Sequence, residues 1–556
     1  MSSKAMIVAA QPEAAEAGAK VLMEGGNAVD AAICTALVQG TVDPQMCGIA
    51  GFGNCQIMMP SKGVHTCIDF HGKTPLSANE KMWEALIISE TRDGFGFVLK
   101  DNVNDLGYQS ITTPGSLKAY YEAVTDFGTW DWSDIIKPAI KQAEEGFIVR
   151  PHVDYFWNYG ADYGRVGVKE RLKFSKTGRE AYFNKSGNLK RIGDRIKILG
   201  MDETLRKIAK FGPDIFYKGE IAEKISSAMK DNGGLISLYD LKNYEPVWRE
   251  PLQSEYKGSK VITMGPPSSG GVHIIQMLNI LKNYDLTGME HNSSDYINLL
   301  TEVMKHAYAD RSKYLGDPDF YDVPINKLTS NLYAESIVNK IELGTSLNSS
   351  SIFPGMYMDY ESDETTHFSV ADKYGNVVSS TYTLNSTFGS GVVIKDTGIL
   401  MNNEMDDFSA APGIPNQFGL LGAKANEIVP FKRPLSSMTP TIVMKNNELF
   451  FTTGSPGGSR IISAVLQSIL NIIDFEMNLE EATYAQRIHH QWQPDVLEIE
   501  YSISENIYKD LQSRGYKVVV SEPRTCIQTI MLSNDVFSGY GDFRRPDAYA
   551  SGEIND

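Results

Sequence analysis

At Thr365 the chain changes character, and that change limits the fold more than any other feature. Residues 340 to 364 are rich in Ser, Asn, Gly and Pro, follow no hydrophobic period, and read as an exposed loop. The stretch TTHFSVADKYGNVVSSTYTL then alternates like two strands around a Lys373-Tyr374-Gly375-Asn376 turn. A β-rich module therefore begins abruptly at a threonine. Further strands are expected at TPTIVMK and ELFFTTG, a helix after GSPGGSR, and a closing strand pair around YKVVV and CIQTIML.

The preceding half reads differently. An Ala/Glu/Leu-rich segment from Glu13 to Glu24 stops at Gly25-Gly26, and Asn27 can cap a second helix running through Val38. GIAGFGNC leads into QIMM and TCIDF, which predict short strands joined by a tight turn. From Ser116 to Met229 apolar residues recur at three- and four-residue spacing, as in an outer helical layer, and Tyr296 to Gly316 reads as a long amphipathic helix. There is no internal repeat and no low-complexity segment.

Composition excludes several function classes. With 556 residues, 42% hydrophobic and 22% charged, the chain can bury a large core. Its 52 basic and 69 acidic residues leave a net charge of −17, which repels phosphate backbones and anionic lipid surfaces, so neither nucleic acid nor membrane is an expected partner. Cys34, Cys47, Cys55, Cys67 and Cys526 are too few for a disulfide framework and suit a reducing compartment. No C-x-x-C pair and no H-x-x-x-H occurs, so no metal is expected. The start, MSSKAMIVAAQPEAAEAG, lacks a secretory apolar core, which predicts a cytoplasmic protein; a chain trimmed of an export signal would read the same. The glycine loops are not nucleotide sites: GIAGFG is not G-x-G-x-x-G, and GSPGGSR lacks the Lys-Ser/Thr pair of a phosphate loop.

The chemistry centres on Glu364-Thr365-Thr366-His367. A threonine hydroxyl alone is a weak nucleophile, and two threonines at a strand start are also ordinary β-formers. If the Glu364–Thr365 bond is cut, Thr365 gains an α-amine with a pKa of roughly 7.7–8.0. One residue then holds nucleophile and base, and the same hydroxyl can perform the cut by attacking the Glu364 carbonyl.

TTHFSVADKYGNVVSSTYTLNSTFGSG, MNNEMDDFSA, RPLSSMTPTIV and GSPGGSR together resemble the small-subunit signature of the γ-glutamyltransferases. Upstream, EGGNAVDAA, IDFHGKTP, GPPSSGG, HAYADRSKYLGDPDF and NGGLISLYDLKNY are similar to the large subunit, in the same order, so the resemblance spans essentially the whole chain. It implies an α+β fold, the four-layer αββα sandwich of N-terminal-nucleophile hydrolases. It implies cleavage between Glu364 and Thr365 into a large subunit, residues 1–364, and a small one, residues 365–556, that remain together as a heterodimer. It also implies a self-cleaving amidase or acyltransferase that needs no cofactor and acts on a small amide, glutathione or a related γ-glutamyl compound, with water or an amino acid as acceptor.

The matching positions carry implied roles. Thr383 would steady the nucleophile. Asn385, Glu404 and Asp407 would hold a substrate ammonium, the two acids standing three apart so that one turn presents both. Ser436 and Ser437 offer hydroxyls to a carboxylate, although they could equally form a plain serine turn. Gly457 and Gly458 would aim N–H groups at the oxyanion, worth roughly 3–4 kcal/mol per donor. Phe418 matches an active-site lid that covers the acyl group, or else anchors its loop by packing.

One position departs from the family. IDFHGKTP has His71 where typical members carry an arginine that clamps the α-carboxylate of the γ-glutamyl group. Histidine cannot form that fork. The acid-binding half is expected to be weakened or re-aimed, with Lys73 as a candidate stand-in, which keeps open the hydrolysis of another small amide, oxamate-like or acylase-type. Two rivals are a non-catalytic module of the same fold and a capsule-type transpeptidase acting on polymeric γ-glutamate. The retained Thr365, Thr383, Gly457 and Gly458 weigh against the first, the lid-like loop against the second.

Overall fold

The computed structural model describes residues 2–90, 97–158, 165–352, 364–409, 424–501 and 503–552. Two seven-stranded antiparallel sheets form its centre. The first runs Ser2–Ser3, Val536–Gly541, Gln528–Ser533, Glu448–Thr453, Thr441–Lys445, Ser259–Thr263, Leu252–Tyr256. The second runs Tyr549–Gly552, Met6–Ala9, Thr366–Ala371, Val377–Thr383, Phe52–Met59, Val64–Asp69, Val247–Arg249. Both sheets combine strands from before and after Thr365, so neither half of the chain could complete a sheet alone.

Side-chain alternation along each strand builds the layers. Met6, Val8, Met58, Ala371 and Val377 of the second sheet meet Ile442, Leu449, Ile530 and Phe537 of the first in one apolar seam. The intervening Ile7, Ile57, Phe368, Val370 and Val378 point the other way, against helices that include Pro12–Met23, Ala28–Val42 and Ser116–Phe127. On the far side, Val261, Val443 and Phe451 pack on the helices Gly270–Leu281, Ser294–Tyr314 and Arg460–Ile473. The result is helix, sheet, sheet, helix: the αββα sandwich. Each fully buried Ile, Val or Phe in these layers contributes about 1.5–3 kcal/mol.

Local signals survive well. Asn27 caps the helix Ala28–Val42 in a capping box with Asp30, as its sequence predicts, though the helix continues four residues past Val38. The turn at Gly375, with φ of 80°, joins Thr366–Ala371 to Val377–Thr383. Two expectations fail. Ser294–Tyr314 is not amphipathic: residues 296–312 are all buried, because the helix lies between other helices and pairs its own charges, Lys305 donating to Glu302 at 2.9 Å. YKVVV and CIQTIML do not pair. Val518–Ser521 joins Leu497–Glu500 in a separate three-stranded sheet, whereas Gln528–Ser533 enters the first large sheet beside Glu448–Thr453. Residues 353–363 of the expected loop lie outside the described residues, but Ser349 and Ile352 before them are buried. No helix among the described residues is long and apolar enough to cross a membrane.

Candidate active site

Thr365 sits one residue before the strand Thr366–Ala371, in the middle of the second sheet. Thr366 pairs with Tyr382, so the register brings Thr365 level with Thr383 on the adjacent strand. Both threonines are buried, at 4% and 2% exposure. The Thr383 hydroxyl donates to the Glu364 carbonyl oxygen at 2.6 Å and accepts the Asn385 N–H at 2.9 Å. The Glu364 carbonyl is thereby polarised by a fixed donor. Arg545 holds the other side, donating from Nη2 to the Thr365 carbonyl at 2.9 Å.

Asn385 adopts a positive φ of 81°, a left-handed conformation that asparagine tolerates better than most residues. This turns its side chain to Asp407, whose Oδ1 accepts from Nδ2 at 2.8 Å. Glu404 and Asp407 lie on one short 3₁₀ turn, as their spacing suggests. Glu404 is fully buried, and its Oε2 accepts from the Thr112 hydroxyl at 2.7 Å and the Gly72 N–H at 2.8 Å. Burial pushes its carboxyl well above the usual range and the charge of Asp407 adds to this, against the opposing Thr112 and Gly72 bonds. Glu404 thus holds its proton more tightly than an ordinary carboxyl. Only glycine fits at position 72, since a Cβ there would overlap Thr112 and Glu404.

His71, wholly buried, joins Asp69 to Ser436. Its Nδ1 is 2.7 Å from Asp69 Oδ1 and its Nε2 is 2.7 Å from the Ser436 hydroxyl. Lys73 places its ammonium over the Tyr244 ring, 5.7 Å from the centroid. Among the described residues, Ser437 Oγ and Glu404 Oε1 are buried with no protein partner, so both are open to a bound polar group.

Gly457 and Gly458 follow the strand Glu448–Thr453 of the first sheet, with φ of 129° and 54°. A Cβ on Gly457 would press on Thr525 and the Arg524 carbonyl. The loop is tied to the nucleophile strand through Gly454, whose open α-carbon accommodates the His367 ring. Phe418 lies outside the described residues.

The structure thus brings Thr365, Thr383, Asn385, Glu404 and Asp407 into one network and joins His71 to Ser436. Three participants escape sequence reasoning. Arg545, Asp69 and Thr112 act on residues 180, 2 and 292 positions away. Only Asp69 left a signal, since it stands two positions before His71 on the end of a strand and so can reach the same ring.

Comparison with known proteins agrees with this geometry. A family model described as Gamma-glutamyltranspeptidase matches residues 14–552. The chain is 43% identical over 541 residues to a glutathione hydrolase proenzyme of Escherichia coli (strain K12), covering 96% of this chain and 89% of that one. It is 38% identical over 522 residues to an acylase ACY 1 proenzyme of Pseudomonas sp. (strain SE83), covering 93% and 88%. The crystal structure of a cephalosporin acylase from Bacillus halodurans superposes with a TM-score of 0.86 at 27% identity, covering 100% of this chain and 97% of that one.

Proposed function

The chain belongs to the gamma-glutamyltranspeptidase family, and on that premise we propose that it is a self-cleaving amidase that hydrolyses or transfers a γ-glutamyl group from glutathione or a related amide. The observation that carries this reading is the Thr383 hydroxyl, 2.6 Å from the Glu364 carbonyl oxygen, beside a buried Thr365. Attack by the Thr365 hydroxyl on that carbonyl moves the acyl chain from nitrogen to oxygen, and water then releases Glu364 and leaves Thr365 with a free α-amine. The residues before and after the cut stay together, because both contribute strands to both sheets.

In the processed enzyme the Thr365 hydroxyl attacks the substrate amide while its own amine takes the proton and passes it to the leaving amine. Gly457 and Gly458 would face the oxyanion with their N–H groups. Asp407 and Asn385 hold the α-ammonium, and its arrival favours loss of the Glu404 proton. Water or an amine then resolves the ester. A second reading, an amide whose acyl group lacks an α-carboxylate, is favoured by one observation: the Ser436 hydroxyl is bonded to a histidine rather than an arginine.

Glutamate release from glutathione, measured beside a denaturing gel and a Thr365→Ala control, tests the proposal. Release by a cleaved wild type and none by an uncleaved variant supports it. A cleaved wild type that releases no glutamate keeps the amidase and discards the γ-glutamyl group.

A further inference from the structure

Behind Ser436 lies a cluster of charged side chains to which it is linked through His71. Asp69 Oδ1 accepts the His71 backbone N–H at 3.1 Å and its ring Nδ1 at 2.7 Å. Asp69 Oδ2 accepts from Arg249 at 2.8 Å, with the Arg433 guanidinium 3.6 Å away. Both arginines also face Asp319, and Asp317 accepts the Arg433 backbone N–H at 2.8 Å. Tyr244 donates to the His71 carbonyl at 2.9 Å and carries the Lys73 ammonium on its ring; Phe52 covers the imidazole at 6.0 Å. On the pocket side the nearest acid is Glu404, bonded to the Gly72 N–H. Arg249 is thus hydrogen-bonded to Asp69 and Asp319, while Arg433 lies at ion-pair distance from both and donates from Nη2 to the Glu245 carbonyl at 3.0 Å.

This arrangement fixes the direction of each proton. Burial pushes the Asp69 carboxyl up, but Arg433, the His71 bond and Arg249 outweigh it and hold the group well below the usual range, so Asp69 only accepts. Nδ1 of His71 must therefore carry a hydrogen. In the neutral ring Nε2 is then an acceptor, and Ser436 spends its hydroxyl proton on it. Ser436 then has only lone pairs left for a ligand, and lone pairs repel a carboxylate. Protonating Nε2 reverses the bond: the ring donates to Ser436 Oγ, and the hydroxyl hydrogen is released toward the ligand.

We propose that Asp69 and His71 are the specificity-determining pair of the acyl subsite, and that an α-carboxylate binds there together with one proton, taken up by His71 and relayed through the Ser436 hydroxyl. The ring, held at 2.7 Å on both sides, does by protonation what a permanent cation would do without it. The inference deepens the γ-glutamyl reading and rests on it for the identity of the carboxylate.

The test is calorimetric binding to the processed enzyme in buffers of different ionisation enthalpy, repeated across a pH series. The probes are glutamate and 4-aminobutyrate, which share the amine and the acyl carbon and differ in the α-carboxylate. Glutamate is expected to take up about one proton more than 4-aminobutyrate, and its relative affinity to fall about tenfold per pH unit. His71→Arg and the neutral, hydrogen-bonding His71→Gln should both erase the difference. Equal proton uptake for the two ligands in wild type, a difference that survives in either variant, or no glutamate binding at all overturns the proposal. The functional reading fails separately: a proton difference without glutathione hydrolysis discards the reaction and keeps the relay, and hydrolysis without the difference does the reverse.

Discussion

The Thr383 hydroxyl lies 2.6 Å from the Glu364 carbonyl oxygen, and its own oxygen is held at 2.9 Å by the Asn385 N–H. With that N–H on its lone pair, the Thr383 hydroxyl has two carbonyls in range, Glu364 at 2.6 Å and Asn385 at 3.4 Å, and the shorter contact is the one to Glu364.

Thr383→Ala removes that donor and should slow conversion of the full chain into two fragments by about 10²–10³-fold, the usual cost of one lost oxyanion donor. Thr383→Ser keeps the hydroxyl and should retain most of the rate. A denaturing-gel time course from freshly synthesised protein reads both. Equal rates for wild type and alanine variant would show that the bond is incidental.

Arg545 donates to the Thr365 carbonyl at 2.9 Å and lies close enough to Asp43 to oppose the rise that burial forces on its carboxyl. Arg545→Ala strips the Thr365 carbonyl of this charged donor and removes one of the groups that oppose the rise at Asp43. A cost of about 1.5–3 kcal/mol is expected, as for a hydrogen bond to a charged group. Urea unfolding measures it. A loss below about 1 kcal/mol would mean that strand pairing alone positions Thr365.

Glu404 makes the fold sensitive to pH with a definite sign. Its folded-state carboxyl is raised by burial and by Asp407, whereas in the unfolded chain it titrates near roughly 4.3. Its contribution to stability is full below that value and is lost as pH rises toward the folded value, at about 1.4 kcal/mol per pH unit. Glu404→Gln mimics the protonated acid and should remove that component, making the variant more stable than wild type at about pH 8. Denaturation midpoints across pH decide it: parallel curves for the two proteins would place the proton elsewhere.

What the sequence made legible follows the range of each interaction. Asn27 capping its own helix, the Gly375 turn and the strand starting at Thr366 are local, and each was readable from a few residues. Glu404 and Asp407 were readable as a pair because one turn of chain suffices to join them. Ser294–Tyr314 misled because its Lys, Glu and Arg residues mimic a wet face, whereas Glu302, Lys305 and Arg311 are buried and Lys305 bonds Glu302, Ser346 and the Leu347 carbonyl. Val518–Ser521 misled because two short apolar runs carry no information about which sheet each will enter. Arg545 and Thr112 were invisible for the same reason on a longer scale. The meaning of His71 changed most. As a sequence difference it reads as a lost clamp, whereas in the fold it is the end of a chain of hydrogen bonds that starts at Asp69.

The contact between His367 and Gly454 sets the distance between the nucleophile strand and the glycine loop. His367 is fully buried on that strand, and burial lowers its ring to a pKa of about 3, so it is neutral. Ser369 donates its own hydroxyl to the Gln528 carbonyl at 3.1 Å and therefore accepts from His367 Nε2 at 3.2 Å, which leaves Nδ1 to accept from Thr381 at 2.8 Å. The ring is thus locked on both nitrogens, and a Cβ at position 454 would fall inside it. Gly454→Ala should therefore move the loop that carries Gly457 and Gly458, costing about 1–3 kcal/mol as over-packing does and lowering kcat more than it raises KM. Removing the ring from this background, in Gly454→Ala with His367→Ala, should recover part of the stability, because the methyl then enters the space the ring vacates. A double-mutant cycle in urea reads this as a favourable coupling of about 0.5–3 kcal/mol. Simple additivity of the two losses would show that the loop is spaced by something other than His367.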